Sequence, residues 1–221
     1  MSAATHDLAL AGHDGHGDHG DHGGHVTATG ISNEKVGMWT FLGSECLLFG
    51  ALIATFLVYN GRSINGPYLH DTIENGKVVE GVVDIPFTSA SSFILLMSSL
   101  TMVLAHSAIK RNDIRRFRLW IGATAVLGSM FIGGQIYEFT TFLSEGLGMS
   151  TNLFGSSFYV LTGFHGVHVT LGIVMLASLL NLSRKGKIDQ SKHEAVEIVG
   201  LYWHFVDVVW IVIFTVVYLI P

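Results

Sequence analysis

The sequence contains little charge, one cysteine and three prolines among its 221 residues. Lys, Arg, Asp and Glu make up 13% of the chain, which leaves no basic surface for nucleic acid. The single cysteine, Cys46, excludes an internal disulfide and a cysteine zinc cluster. With so few prolines, and no internal repeat, the chain also lacks the broken helices and inverted repeats that are typical of many transporters.

Apolar residues are gathered in five long stretches. They run approximately over residues 36–59, 87–109, 119–142, 153–182 and 196–220. A helix needs about 20 apolar residues to cross the hydrocarbon core of a bilayer, and a soluble protein of this size does not bury five such helices. The sequence therefore predicts an all-α integral membrane bundle of five transmembrane helices over residues 35–221.

The basic residues predict the orientation of the bundle. Lys and Arg are concentrated in alternate loops, so that ten lie on one side of the predicted membrane and two on the other. The positive-inside rule then places the amino terminus in the cytoplasm and Pro221 outside. Because the first basic residue is Lys35, we expect no cleaved signal peptide and a first span that is retained.

Two segments outside the spans have compositions of their own. Residues 1–34 are rich in Gly and Asp and contain six of the twelve histidines, which predicts a disordered, solvated cytoplasmic tail. Weak metal binding by this tail is the alternative. In the loop before the second span, the alternating sequence "KVVEGVVDI" predicts a small hairpin, and Pro86 is expected to open the second helix.

Five ionisable residues fall in the middle part of the predicted bilayer. At ~1.5 Å per residue, they lie ~12 to ~22 Å from the residue at which their span starts: Glu45, His165, His168, His204 and Asp207. A charged side chain there costs at least ~3 kcal/mol, so such residues usually face the bundle and have partners. His204 and Asp207, three residues apart, share one helix face, which is also consistent with a purely structural hydrogen-bond network.

Three classes of membrane protein could use this set. The first is a bis-histidine haem protein with axial ligands from His106, His165, His168 or His204, although His165 and His168 are too close on one helix to be opposite ligands. The second is a stand-alone proton or cation transporter that uses Glu45 and the histidines as a relay. The third is a non-catalytic subunit that supports a larger redox or transport partner.

Five motifs resemble subunit III of the haem-copper terminal oxidases, the cytochrome c oxidase subunit 3 family. They are "SECLLFG" (residues 44–50), "SSLTMVLAHSAI" (98–109), "GGQIYEF" (133–139), "TGFHGVHVTLG" (162–172) and "YWHFVDVVWIVIF" (202–214). The resemblance covers all five spans in the family order. It implies a short bacterial five-helix form, whereas many members have two further helices before the "SE" helix.

The resemblance implies an accessory, non-redox subunit of a proton-translocating oxidase in the bacterial cytoplasmic membrane. Such a subunit has no catalytic or metal site; haem and copper belong to its main partner, subunit I, and to subunit II. It binds phospholipid, stabilises subunit I and supports proton uptake, and other respiratory-complex subunits are possible partners. Cytochrome c is the expected electron donor; a quinol oxidase subunit III and a nitric oxide reductase accessory subunit are the alternatives.

The resemblance also implies roles for the polar residues. Lipid binding or a proton network is expected for Glu45, His165, His168 and His204. A structural polar network is expected for Asp207, Glu138, Gln135 and His106. In particular, we expect Asp207 to be the partner of His204 and the two residues to fix the fifth helix against the fourth. The family's lipid cleft lies beside the two helices that this chain lacks, so its second wall is expected from another subunit or from lipid.

Overall fold

The computed structural model describes residues 32–60, 72–74, 77–79, 81, 84–149, 153–188 and 192–220. Within these ranges the chain forms five long helices, each long and apolar enough to cross a membrane. They are α1 (Asn33–Tyr59), α2 (Ile85–Lys110), α3 (Ile114–Ser144), α4 (Leu153–Arg184) and α5 (His193–Phe214), which a π-helical segment, Thr215–Leu219, continues. The predicted all-α, five-helix architecture is thus confirmed.

Four of the five helices begin a few residues earlier than the apolar stretches, because polar first turns do not enter an apolar count, and α4 begins at Leu153 as predicted. The side-chain oxygen Oδ1 of Asp84 accepts a hydrogen bond from Phe87 N at 3.1 Å and so caps α2. Oδ1 of Asp113 caps α3 in the same way, from Arg116 N at 3.1 Å. Pro86 lies in the first turn of α2, as predicted.

Between α1 and α2 the structure has two short strands. β1 (Thr72–Glu74) pairs antiparallel with β2 (Lys77–Val79), and Glu74 lies opposite Lys77. The predicted hairpin is confirmed, but its pairing involves residues before "KVVEGVVDI" as well as the start of it. Residues 1–31 of the predicted tail lie outside the described residues. Asn33 and Glu34, which were also assigned to the tail, belong to α1.

Four of the described helices form a closed bundle. α2 packs against α3, α3 against α4 and α4 against α5, and α5 returns to α2. α1 lies outside this ring, and its only buried side chains are Phe49 and Phe56. The Phe49 ring is 5.0 Å from the ring of His168, and the Phe56 ring is 5.3 Å from that of Phe154, so α1 packs along α4.

The centre of the bundle is the indole of Trp203 on α5, which is fully buried between two glycines. A Cβ atom at Gly128 on α3 would lie 2.5 Å from Trp203 Cη2, and one at Gly172 on α4 would lie 2.8 Å from Cε3. Gly128 and Gly172 thus permit α3 and α4 to pack closely against α5. Gly43, Gly50 and Gly163 have no such role. A Cβ atom built on any of them meets no described atom within 4 Å apart from the backbone of its own helix.

Candidate functional site

Glu45 on α1 has a partner from another helix, although its neighbours along α1 are apolar. Its Oε2 atom lies 3.1 Å from Nε2 of His168 on α4, and both side chains are nearly buried. At ~1.5 Å per residue, Glu45 lies ~18 Å from the start of α1 and His168 ~24 Å from the end of α4. The pair therefore joins α1 to the bundle at the middle of the span.

The hydrogen bonds of His168 determine where its protons are. Nδ1 lies 2.8 Å from the carbonyl oxygen of Phe164, which can only accept, so Nδ1 is the donor. The contact between Nε2 and Oε2 then requires one proton, on the imidazole or on the carboxyl group. In either case the pair is neutral overall, which lowers the cost of placing it in the membrane.

Aromatic residues of α1 and α5 surround this pair. The Tyr202 hydroxyl donates to the carbonyl oxygen of His168 at 3.0 Å, and the Tyr202 ring stacks with Phe41 at 6.3 Å. Phe49 packs edge-on against His168 from the other side. The imidazole is thus fixed in one orientation, as a group that holds a proton at a defined atom requires.

His165, only three residues from His168, has a different environment. It is fully buried, and neither ring nitrogen has a hydrogen-bond partner among the described residues. Its ring stacks on Trp210 at 4.9 Å and meets the edge of Phe131 at 5.9 Å. His165 is thus enclosed by aromatic rings of this chain, and its expected role in lipid binding or a proton network stays a prediction.

The expected pair of His204 and Asp207 is not formed. His204 Nδ1 lies 2.6 Å from the hydroxyl of Ser99 on α2. Asp207 is buried near Ser99, but neither carboxyl oxygen has a hydrogen bond of acceptable geometry within the described part of the chain. Both residues face α2 rather than α4, so the predicted role of fixing α5 against α4 is corrected to the α2–α5 interface.

The α2–α5 interface contains a row of hydrogen bonds that was not predicted from the sequence. Nε1 of Trp203 donates to Ser98 at 2.9 Å, and Nε1 of Trp210 donates to Ser92 at 2.8 Å. With Ser99 and His204 they give three polar contacts between two antiparallel helices. The signal was present in the seven-residue spacing of the two tryptophans, which places them on one face of α5.

Two of the residues assigned to a structural network, Gln135 and Glu138, make separate hydrogen bonds to neighbouring helices. Nε2 of Gln135 on α3 donates to the carbonyl oxygen of Thr162 on α4 at 2.8 Å. Glu138, one turn further, is buried and accepts hydrogen bonds from Thr88 on α2 and, at 3.4 Å, from Tyr218 in the π-helical segment. The two residues therefore link α3 to three neighbouring elements.

His106 and His204 line a cleft of about 190 Å³ between α1, α2 and α5. Its polar end lies near the ends of the three helices, where Lys35 Nζ is 3.2 Å from Glu197 Oε1. Its other lining residues include Trp39, Met102, Val103 and Leu201. The cleft is thus charged near the helix ends and apolar further in except for His204, and His106 lines it rather than contacting Glu138.

Two of the four histidines considered as haem ligands have ring nitrogens that other residues engage. Both nitrogens of His168 are engaged, one by Phe164 and the other by Glu45. Nδ1 of His204 is engaged by Ser99, whereas the nitrogens of His165 have no partner within the described residues and its ring is fully buried. Within the described residues, no three His, Cys, Asp or Glu side chains are placed to hold a metal ion. The polar groups described above can hold protons and orient helices.

Comparison with known proteins places these features in a family. Residues 14–220 match the family model described as cytochrome c oxidase subunit III. Cytochrome c oxidase subunit 3 of Alkalihalophilus pseudofirmus is 41% identical over 188 residues, which cover 85% of this chain and 86% of the relative. The subunit of the same name from Bacillus sp. strain PS3 is 38% identical over 187 residues, with the same coverage of 85% and 86%. Quinol oxidase subunit 3 of Bacillus subtilis is 38% identical over 184 residues, which cover 83% and 85%.

Proposed function

This chain belongs to the cytochrome c oxidase subunit III family, and from that membership we propose that it is the accessory, non-redox subunit of a proton-translocating terminal oxidase. The family is part of haem-copper oxidase complexes, so the chain acts together with partner subunits. The observation that supports the accessory role best is the Glu45–His168 pair, which uses its polar atoms to hold one proton and to attach α1. Oxygen reduction then takes place on the partner subunits.

Haem and copper belong, in this proposal, to subunits I and II. The experiment is to isolate the complex through a tag on this chain in mild detergent and to strip the chain away afterwards. We expect the reduced-minus-oxidised spectrum and the metal content to stay with the larger partner. Haem that leaves with this chain would restore the bis-histidine haem hypothesis.

The donor in this proposal is cytochrome c, as in the relatives that bear that name. Quinol is the second candidate. Quinol oxidase subunit 3 of Bacillus subtilis and cytochrome c oxidase subunit 3 of Bacillus sp. strain PS3 are both 38% identical to this chain. The same isolated complex decides between them by its oxygen uptake with reduced cytochrome c and with a quinol. Because the donor binds to other subunits, neither result changes the role of this chain.

The cleft lined by Lys35, His106, Glu197 and His204 is our proposed site for a bound phospholipid. Its charged end suits a head group and its apolar end suits the first part of an acyl chain. Of the residues expected to bind lipid, His204 is the one that lines this cleft. The lipid content of the isolated complex, measured before and after the chain is stripped away, tests the assignment.

In the cell we place this bundle in the bacterial cytoplasmic membrane with the amino terminus inside. The support is the distribution of Lys and Arg, ten on one side and two on the other. Subunit I is the proposed main partner. In this proposal the Glu45–His168 pair supports proton uptake by subunit I.

Glu45→Gln tests whether the proton of this pair matters during turnover. The amide can still donate to Nε2 of His168, so the contact between α1 and α4 is kept while the exchangeable proton is lost. We expect an initial rate of oxygen reduction close to that of the unchanged complex, followed by faster loss of activity during sustained turnover. The measurement is a time course of oxygen consumption, and Cys46→Ser, an exposed neighbour, is the control.

An immediate and complete loss of oxygen reduction in Glu45→Gln would contradict the accessory role. It would mean that Glu45 belongs to a proton path that every turnover uses. A time course identical to that of Cys46→Ser would instead show that the pair is only structural.

A further inference from the structure

A groove between α3 and α4 opens on the lipid-facing surface of the bundle. It encloses about 330 Å³, and its walls are apolar. Ile136 on α3 and Val167 and Leu171 on α4 form the rims, and each is more than half exposed. The floor is formed by Gly163, Gly166 and Gln135.

The floor exposes the backbone of α4. A Cβ atom at Gly163 would meet no other atom of the described chain within 4 Å, so this glycine is not needed for packing inside the bundle. Gly166 is different, because a Cβ there would lie 2.9 Å from Oε1 of Gln135. Glycine is a poor helix former, and an exposed glycine is useful where another backbone approaches closely.

Gln135 adds a polar atom to this apolar groove. The residue is buried, with 7% of its surface exposed, and Nε2 donates to the carbonyl oxygen of Thr162. No described residue donates a hydrogen bond to its Oε1 atom, which lies over Gly166. Gln135 and Thr162 each lie ~14 Å from the nearer end of their helix, in the hydrocarbon region.

An acceptor at this depth has no water to bond with, so its occupant must supply a donor. An acyl chain fills an apolar groove but has no hydrogen-bond donor. A helix side chain with a hydroxyl, amide or indole group has one, and hydrogen bonds of this kind join helices in membranes. The floor of glycine allows such a helix to approach the backbone of α4.

We propose that this groove is the docking site for a transmembrane helix of a neighbouring oxidase subunit, which donates a hydrogen bond to Gln135 Oε1. The inference rests on the proposed function only in that the chain must assemble with other subunits. It adds the surface, α3 and α4, and the chemistry of the partner: a helix with small residues at the contact and one donor side chain facing Gln135.

The first experiment replaces Val167, at the rim of the groove, with a photo-crosslinking amino acid in the complete complex. Val126, equally exposed on α3 but outside the groove, is the matched control. We expect illumination at position 167 to join this chain to another oxidase subunit, with at least a severalfold higher yield than at position 126. Crosslinks at position 167 to lipid alone would overturn the proposal and make an acyl chain the occupant.

The second experiment fills the groove without disturbing the bundle. Gly163→Leu and Gly133→Leu each add a side chain where a Cβ meets no described atom within 4 Å, but only Gly163 lines the groove. We expect about tenfold less partner subunit to copurify with Gly163→Leu than with Gly133→Leu. Equal recovery from the two variants would overturn the proposal.

These outcomes are separable from a failure of the proposed function. If haem and copper copurify with the unchanged chain while both leucine variants behave alike, the chain is an oxidase subunit that does not use this groove. If the Gly163→Leu chain does not accumulate in the membrane, the crosslink at position 167 decides, because it needs no change at Gly163.

Discussion

Gly128→Ala is expected to prevent stable packing of the helix bundle, although it adds a single methyl group. The new Cβ atom would lie 2.5 Å from Trp203 Cη2 and 2.9 Å from Cζ2. The indole has no room to move. The backbone of α4 at Gly172 packs against its other edge, and Nε1 donates a hydrogen bond to Ser98. Overpacking of this kind costs about 1–3 kcal/mol or more. We expect strongly reduced accumulation of the chain in the membrane and a lower midpoint of thermal unfolding.

Two further variants separate the clash from other effects of the methyl group. Gly133→Ala lies on the same helix with open space around its Cβ, so it should behave like the unchanged chain. Trp203→Phe removes Cη2 and Cζ2, the two ring atoms nearest to the added methyl group. The double variant with Gly128→Ala and Trp203→Phe should therefore accumulate in the membrane better than Gly128→Ala alone. If Gly128→Ala and Gly133→Ala were equally stable, the indole would not occupy the position described.

His168→Leu should be the most harmful change at the Glu45 pair, and the double change to leucine should be much less so. Without His168, the carboxyl group of Glu45 would be left at mid-depth without a partner. Breaking a buried pair from one side costs about 3–5 kcal/mol, whereas replacing both partners by apolar residues is often nearly neutral. We expect the pair to contribute strongly to the attachment of α1, because Phe49 and Phe56 are the only fully buried side chains of this helix and its contacts at Lys35 and Phe41 lie near the surface.

The measurement is a double-mutant cycle of unfolding in detergent on the complex, with Glu45→Leu, His168→Leu and both changes together. Cys46→Leu, at an exposed neighbouring position, controls for an added leucine on α1. Additive losses in the two single variants would show that Glu45 and His168 do not interact. A strong recovery in the double variant would establish the direct contact and its neutral character.

The lengths and number of the helices were predictable from the sequence, and so were the polar residues that require partners. Which partners they have was not. His165 and His168 are three residues apart, as are His204 and Asp207, and this spacing places each pair on one face of its helix. In the structure, His168 bonds to Glu45 while His165 is enclosed by aromatic rings, and His204 bonds to Ser99 while Asp207 does not.

The sequence by itself determined that this chain forms five membrane helices of a known oxidase subunit family, because the length of an apolar run and the order of short motifs are local properties. Only the tertiary structure decided that Glu45 meets His168, that Trp203 lies between Gly128 and Gly172, and that Gln135 faces an open groove. Such contacts depend on how far each helix is rotated and shifted against its neighbours. In a membrane, apolar residues cover both the buried and the lipid-facing sides of a helix, so hydrophobic periodicity does not report that rotation.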